Sequence, residues 1–148
     1  MDEQKLRQII KRHEKWLHNE SGGEKADLYG ADLSETNLSG ANLSRADLCY
    51  VNLSKADLCG VNLRDAYLIN ANLKEANLSN ADLSGINLRN ANLYDADLSG
   101  TNLCEANLSN ADLSMTNLRG AILCDVNLDG TCLYGANLGG TIVSEQII

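Results

Sequence analysis

The chain is 148 residues long, room for one domain and too little for two ordinary ones. Its 12 Lys and Arg stand against 20 Asp and Glu, a formal charge of −8 that argues against a basic face for nucleic-acid phosphates. With no Phe, no Pro, five Tyr and one Trp, the core is not built on aromatic rings, and no apolar run is long enough to predict a membrane span.

Residues 1–25 form the first unit. Leu6, Ile9, Ile10, His13, Trp16 and Leu17 recur at spacings of three and four, which predicts an amphipathic helix over residues 3–18. Lys5, Arg7, Lys11, Arg12, Glu14 and Lys15 occupy its other face. Asn19-Glu-Ser-Gly-Gly ends it, with Gly22 and Gly23 free to take positive φ. The start, Met1-Asp-Glu-Gln-Lys, lacks the apolar stretch of a signal peptide, so the expected location is the cytoplasm. This unit carries six basic and five acidic residues; the rest of the chain carries six and fifteen. The acidity belongs to the second unit, residues 26–148.

That second unit repeats every five residues without insertion. Leucine stands at every fifth position from Leu28 to Leu138, 23 in succession, with Val143 next in phase. Two residues earlier stands Ala in fifteen repeats, Thr in four, Val in three and Ile in one. One residue earlier stands Asn thirteen times and Asp seven times; Tyr67, Ile122 and Cys132 are the exceptions. A helix would scatter such leucines around its axis, and a flat strand would alternate them between faces. All can share one core only if the chain bends in the same sense at each repeat. Asn or Asp before the leucine and Gly after it suit tight turns, so a solenoid of stacked coils is expected.

Ala-Asp-Leu-Ser-Glu, Ala-Asn-Leu-Ser-Arg and Ala-Asn-Leu-Lys-Glu resemble the A(D/N)LXX consensus of pentapeptide repeat proteins, over residues 26–143. The segment Ile10-Lys-Arg-His-Glu-Lys-Trp-Leu, followed by a Gly-Gly turn, resembles the N-terminal cap helix of bacterial members. The resemblance implies an all-β solenoid, a right-handed quadrilateral β-helix with 20 residues per coil and about six coils, behind a short α-helical cap. A core ladder of Leu28, Leu48, Leu68, Leu88, Leu108 and Leu128 would then run along one inner wall. Ile9, Ile10, Trp16 and Leu17 would cover the first coil. A stride of 20 stacks only one Asp pair, Asp27 over Asp47, and places Lys55 between Glu35 and Glu75 and Arg45 beside Asp65.

Catalytic chemistry finds little to work with. His13 and His18 are five apart on the helix and face different ways, so they make no metal pair, and His13 reads as a packing residue. The repeats contain no histidine to serve as a base for Ser or Cys. No enzyme activity, cofactor or metal is expected. Cys49, Cys59, Cys104, Cys124 and Cys132 form no C-x-x-C and read as small surface residues in place of Ser. Cys104 and Cys124 stack at the 20-residue stride, ~4.8 Å apart and inside disulfide range, although parallel Cβ vectors oppose the bond.

Two features exceed the repeat template. Cys49, Tyr50, Tyr67 and Ile69 come together on one face and its corner, a candidate partner contact. At the other end, the last coil exposes core and strand edges unless Ile147 and Ile148, or another molecule, cover them. The reading is a non-enzymatic scaffold or protein-interaction module, monomeric or dimerised end to end through its C-terminal coil. It contacts neither nucleic acid nor membrane directly. The resemblance offers one alternative, an acidic DNA mimic that binds a topoisomerase such as DNA gyrase.

Overall fold

The structure, a computed structural model, describes residues 1–144. Each pentapeptide has one conformation. The leucine and the small residue two before it turn inward, and the residue two after the leucine sits in the left-handed region. That holds from Gly30 to Gly140 in all 23 repeats, with φ between 53° and 70°. Fourteen of these corner residues are not glycine, and none is β-branched, as the sterics of positive φ require. The leucine carbonyl accepts from the N–H three residues on, as Leu83 does from Ile86 at 3.2 Å. With positive φ at its second central residue alone, this is a type II turn.

The Asn or Asp before the leucine acts through its side chain. Its Oδ1 accepts the N–H two residues on, from Ser84 to Asp82 at 3.1 Å and from Ser99 to Asp97 at 2.9 Å. The left-handed backbone belongs to the corner residue, not to this one. Tyr67, Ile122 and Cys132 bring no such acceptor to their turns.

Coils stack in parallel at a stride of 20, from Asp27 opposite Asp47 to Asn117 opposite Asn137. Around Leu83, for example, three bonds tie adjacent coils: Leu83 N–H to Asn102 C=O and Gly85 N–H to Cys104 C=O, both 2.8 Å, and Asn102 N–H to Ala81 C=O at 3.1 Å. Most rungs are single-residue bridges, and among the described residues only β1 (Ile122–Leu123) and β2 (Ile142–Val143) form extended strands, in register with each other. The expected strands are this short because each repeat spends most of its residues on its corner. Side chains add their own rungs: Asn72 donates to Asn52 and Asn77 to Asp57, each at 3.1 Å. The stacked amides thus help to hold the coils together.

The helix α1 (Glu3–Leu17) lies across the first repeats. Asp2 caps it, accepting from Gln4 and Lys5, and the expected stripe faces the coils with Leu6 and His13 the most deeply buried. Leu6 and His13 are buried; Ile9 and Ile10 pack on the core half-buried; Trp16 and Leu17 are also only half-buried. Trp16 is held instead between the His13 ring, stacked at 5.5 Å, and the Arg45 guanidinium, 4.5 Å from its ring centre. His13 is more than packing. Its Nδ1 accepts from Ala26 N–H at 3.0 Å, so Nε2 carries the proton and donates to the Ser44 carbonyl at 2.9 Å. One neutral imidazole therefore clips the helix to both ends of the first coil. At the helix exit Gly22 has positive φ, as expected, but Gly23 does not; a Cβ there would meet the Trp16 backbone at 2.4 Å.

At the other end the ladder opens. The leucines from Leu28 to Leu118 are all 3% exposed or less, whereas Leu128 is 38% and Leu138 45% exposed. Leu128 and Leu138 still face inward, lining an apolar cavity of about 190 Å³ with Leu108, Leu118 and Val143. Leu128 thus departs from the expected buried ladder because no described coil stacks over it. Ile147 and Ile148 lie outside the described residues.

Candidate functional site

The stride of 20 does bring Cys49, Tyr50, Tyr67 and Ile69 together. Asp47 bridges to Tyr67, and Tyr50 N–H donates to the Ile69 carbonyl at 2.9 Å, so the four share one face over two adjacent coils. Tyr50 and Tyr67 are exposed; Cys49 and Ile69 are half-buried. Burial pushes the Cys49 thiol up, which favours its neutral form.

The sequence reading missed two members of this patch. Tyr29, 61% exposed, packs its ring against Tyr50 with centroids 5.3 Å apart and planes tilted by 51°. It stands at the 20-residue stride from Cys49, and its ring meets that of Tyr50, the next residue along, at the corner. Lys25 places Nζ 5.5 Å from the centre of the Tyr67 ring. The result is three exposed phenol rings, one of them under a cation. Such a surface supplies rigid contact area at low conformational cost, with a hydroxyl on each ring.

Another face carries a second row, Tyr94, Met115 and Tyr134 on successive coils, all exposed, with Lys74 Nζ 5.6 Å from the centre of the Tyr94 ring. Charges elsewhere are mixed. Among the described residues Lys55 pairs with Glu75 at 3.8 Å rather than with Glu35, and Lys74 joins the same carboxylate at 3.5 Å. Arg64 pairs with Asp65 at 3.6 Å, while Arg45, expected beside Asp65, turns away onto Trp16. No group of three or more His, Cys, Asp or Glu among the described residues could hold a metal ion. A cleft of about 520 Å³ between α1 and the first repeats is lined by Leu6, Arg7, Ile10, Glu35 and Asn37 and contains neither histidine nor cysteine. No helix among these residues is long and apolar enough to cross a membrane.

The family described as pentapeptide repeats matches residues 26–65, 66–104 and 102–140. The chain is a pentapeptide repeat protein. Two cyanobacterial pentapeptide repeat proteins illustrate the likeness in crystal structures. Rfr23 from Cyanothece 51142 is 34% identical, with 94% of this chain and 99% of that one covered and a TM-score of 0.51. HetL from Nostoc sp. strain PCC 7120, involved in heterocyst differentiation regulation, is 37% identical over 80% of this pentapeptide repeat chain, with a TM-score of 0.49. The match spans 64% of HetL, short of its whole length. QnrB1, a plasmid-mediated fluoroquinolone resistance protein, is 21% identical with a TM-score of 0.35, covering 82% of this chain and 81% of that one. No curated protein sequence matches.

Proposed function

We propose that this pentapeptide repeat protein is a non-enzymatic scaffold that binds another protein through the face bearing Tyr29, Tyr50, Tyr67, Cys49 and Ile69. Residues 26–148 form the body, a right-handed quadrilateral β-helix of about six coils, and residues 1–25 its N-terminal cap. The observation that carries the reading is the exposed ring pair Tyr29–Tyr50 beside the Lys25–Tyr67 contact. A stacked-coil backbone holds these rings in fixed relative positions, so little entropy is lost when a partner settles on them. The chain's regular corners supply rigidity, and its surface supplies recognition.

The test compares proteins retained from host lysate by the native chain, by a Tyr29/Tyr50/Tyr67 triple alanine and by a Tyr94/Tyr134 double alanine. A partner lost only with the triple variant supports this face. A partner lost only with the double variant moves the site to the other row, and retention by both variants defeats the reading.

Charge placement weighs against the DNA-mimic alternative. A mimic needs a continuous negative face, and here Lys55, Lys74 and Arg64 neutralise the acids beside them. We expect no inhibition of gyrase supercoiling at micromolar protein; salt-sensitive inhibition in that range would favour the mimic.

A further inference from the structure

Stacking makes the five thiols unequal. Cys59 accepts from the Ser79 hydroxyl at 3.5 Å, Cys132 lies 3.0 Å from the Ser114 hydroxyl, and Cys49 lies beside Ile69 in the tyrosine patch. Cys104 and Cys124 stack side by side on consecutive coils. Asn102 bridges to Ile122, and Glu105 N–H donates to the Cys124 carbonyl at 2.8 Å, which fixes the two cysteines in register. Both are half-buried, so a small oxidant can reach them. The Cys124 thiol is held above its ordinary range, first by its hydrogen bond to the Cys104 thiol and then by burial.

In-register side chains on adjacent coils keep their Cβ atoms ~4.8 Å apart, whereas a disulfide wants about 3.8 Å. One of the two turns has to yield by roughly 1 Å. The structure supplies that give on one side only. Cys104 N–H is pinned to Asn102 Oδ1 at 3.1 Å, like the template turns. At the equivalent place before Cys124 stands Ile122, one of three residues in the array that break the Asn/Asp rule, and it offers no acceptor. Cys124 also lies next to the open end, where Leu123 is only half-buried and Leu128 is exposed. A thiol whose turn keeps its Asn pin thus stacks on one whose turn lacks it and holds only a long bond from Asp125 N–H to Ser144 Oγ at 3.4 Å.

We propose that Cys104 and Cys124 form a redox-responsive dithiol site, converted by a low-molecular-weight disulfide of the glutathione class into an intrachain disulfide that clips two coils together at the open end. One protein thiolate attacks a glutathione disulfide sulfur, forming a mixed disulfide and expelling the first glutathione thiolate. The second protein thiolate attacks the protein-side sulfur of that bond and expels the second. Two protein thiols give up two protons and two electrons, and one glutathione disulfide becomes two glutathione thiols. Among the described residues only β2 stacks beyond this coil, and a coil so sparsely covered is the first to open, a freedom the crosslink removes.

The experiment equilibrates the full chain in glutathione buffers of increasing oxidised fraction. Trapped thiols are counted, linked peptides mapped, and hydrogen exchange followed over residues 121–143. The expected result is loss of two of the five thiols, a Cys104–Cys124 peptide, and exchange slowed roughly tenfold or more, all reversed by dithiothreitol. Cys104→Ser and Cys124→Ser should each stop at a mixed glutathione adduct without slowing exchange. Ile122→Asn, which restores the pin, should demand about tenfold more oxidised buffer for the same crosslink. Five intact thiols, a link through Cys49, Cys59 or Cys132, an intermolecular link, or a crosslink that leaves exchange unchanged would each overturn the proposal. Indifference to Ile122→Asn would overturn the account of why this pair closes.

Discussion

Removing one leucine should cost very different amounts along the same ladder. Leu83 is fully buried, with leucine neighbours on the coils before and after it. Leu83→Ala deletes the equivalent of about three methylenes, ~2.4 kcal/mol of transfer free energy at ~0.8 kcal/mol each. Hydrogen-bonded coils on both sides cannot collapse into the void, so a cavity contribution raises the cost to about 3–5 kcal/mol. Leu138 points the same way but is 45% exposed. Leu138→Ala forfeits roughly half the transfer contribution and leaves no closed cavity, so it should cost ~1 kcal/mol. Urea unfolding followed by circular dichroism measures the overall loss, and hydrogen exchange within each coil separates global opening from fraying. Equal costs at the two positions would refute the argument, because they would mean that the last coils are as closed as the middle. A loss below ~1 kcal/mol at Leu83 would mean that the leucine phase is wrong.

Three further outcomes follow from the ends and the corners. His13 titrates below its ordinary 6.5, chiefly through burial, with Lys25 and Arg45 adding positive charge nearby and Glu14 opposing them. The unfolded chain therefore binds the extra proton first: cap stability is complete above pH ~6.5 and is lost as pH falls through the lower folded value, which Trp16 fluorescence should follow. A His13→Gln variant should lack that acid transition. Glu105→Gly, at φ 61°, should stabilise the chain by about 0.5–1 kcal/mol in urea, while Gly85→Ala should destabilise it, since a Cβ is strained at φ 65°. Deleting residues 1–22 should expose the first coil and cause association, visible by light scattering; a monomeric, equally stable product would refute the cap.

The leucine ladder was legible because a strict period of five leaves a chain one way to keep every leucine inside. The stride of 20 was much less so: it came with the resemblance, supported by one stacked Asp pair and a lysine between two glutamates. In the structure that lysine reaches only one of them. Positive φ at Arg45, Tyr50 and Met115 left no mark on composition, because the stacked backbone imposes that conformation whatever the residue. His13 was legible as buried but not as a clip, since both of its partners are backbone atoms placed by the fold. Tyr29 shares the stride of Cys49 and Ile69, and it escaped because its ring meets Tyr50 at the corner rather than a residue of its own row.

The uniform corner also determines how such a chain can grow. Because every pentapeptide has the same backbone, copying five residues between Tyr50 and Tyr67 would leave each leucine indoors. It would nevertheless carry Tyr67 and everything after it a quarter turn around the axis, dissolving the patch without disturbing the core. Copying twenty would restore the bearing of each face and add one storey to the rod. Replication slippage in a gene of this kind is therefore an editor of surfaces, rotating one half of the molecule against the other in quarter-turn clicks while the interior keeps its pattern.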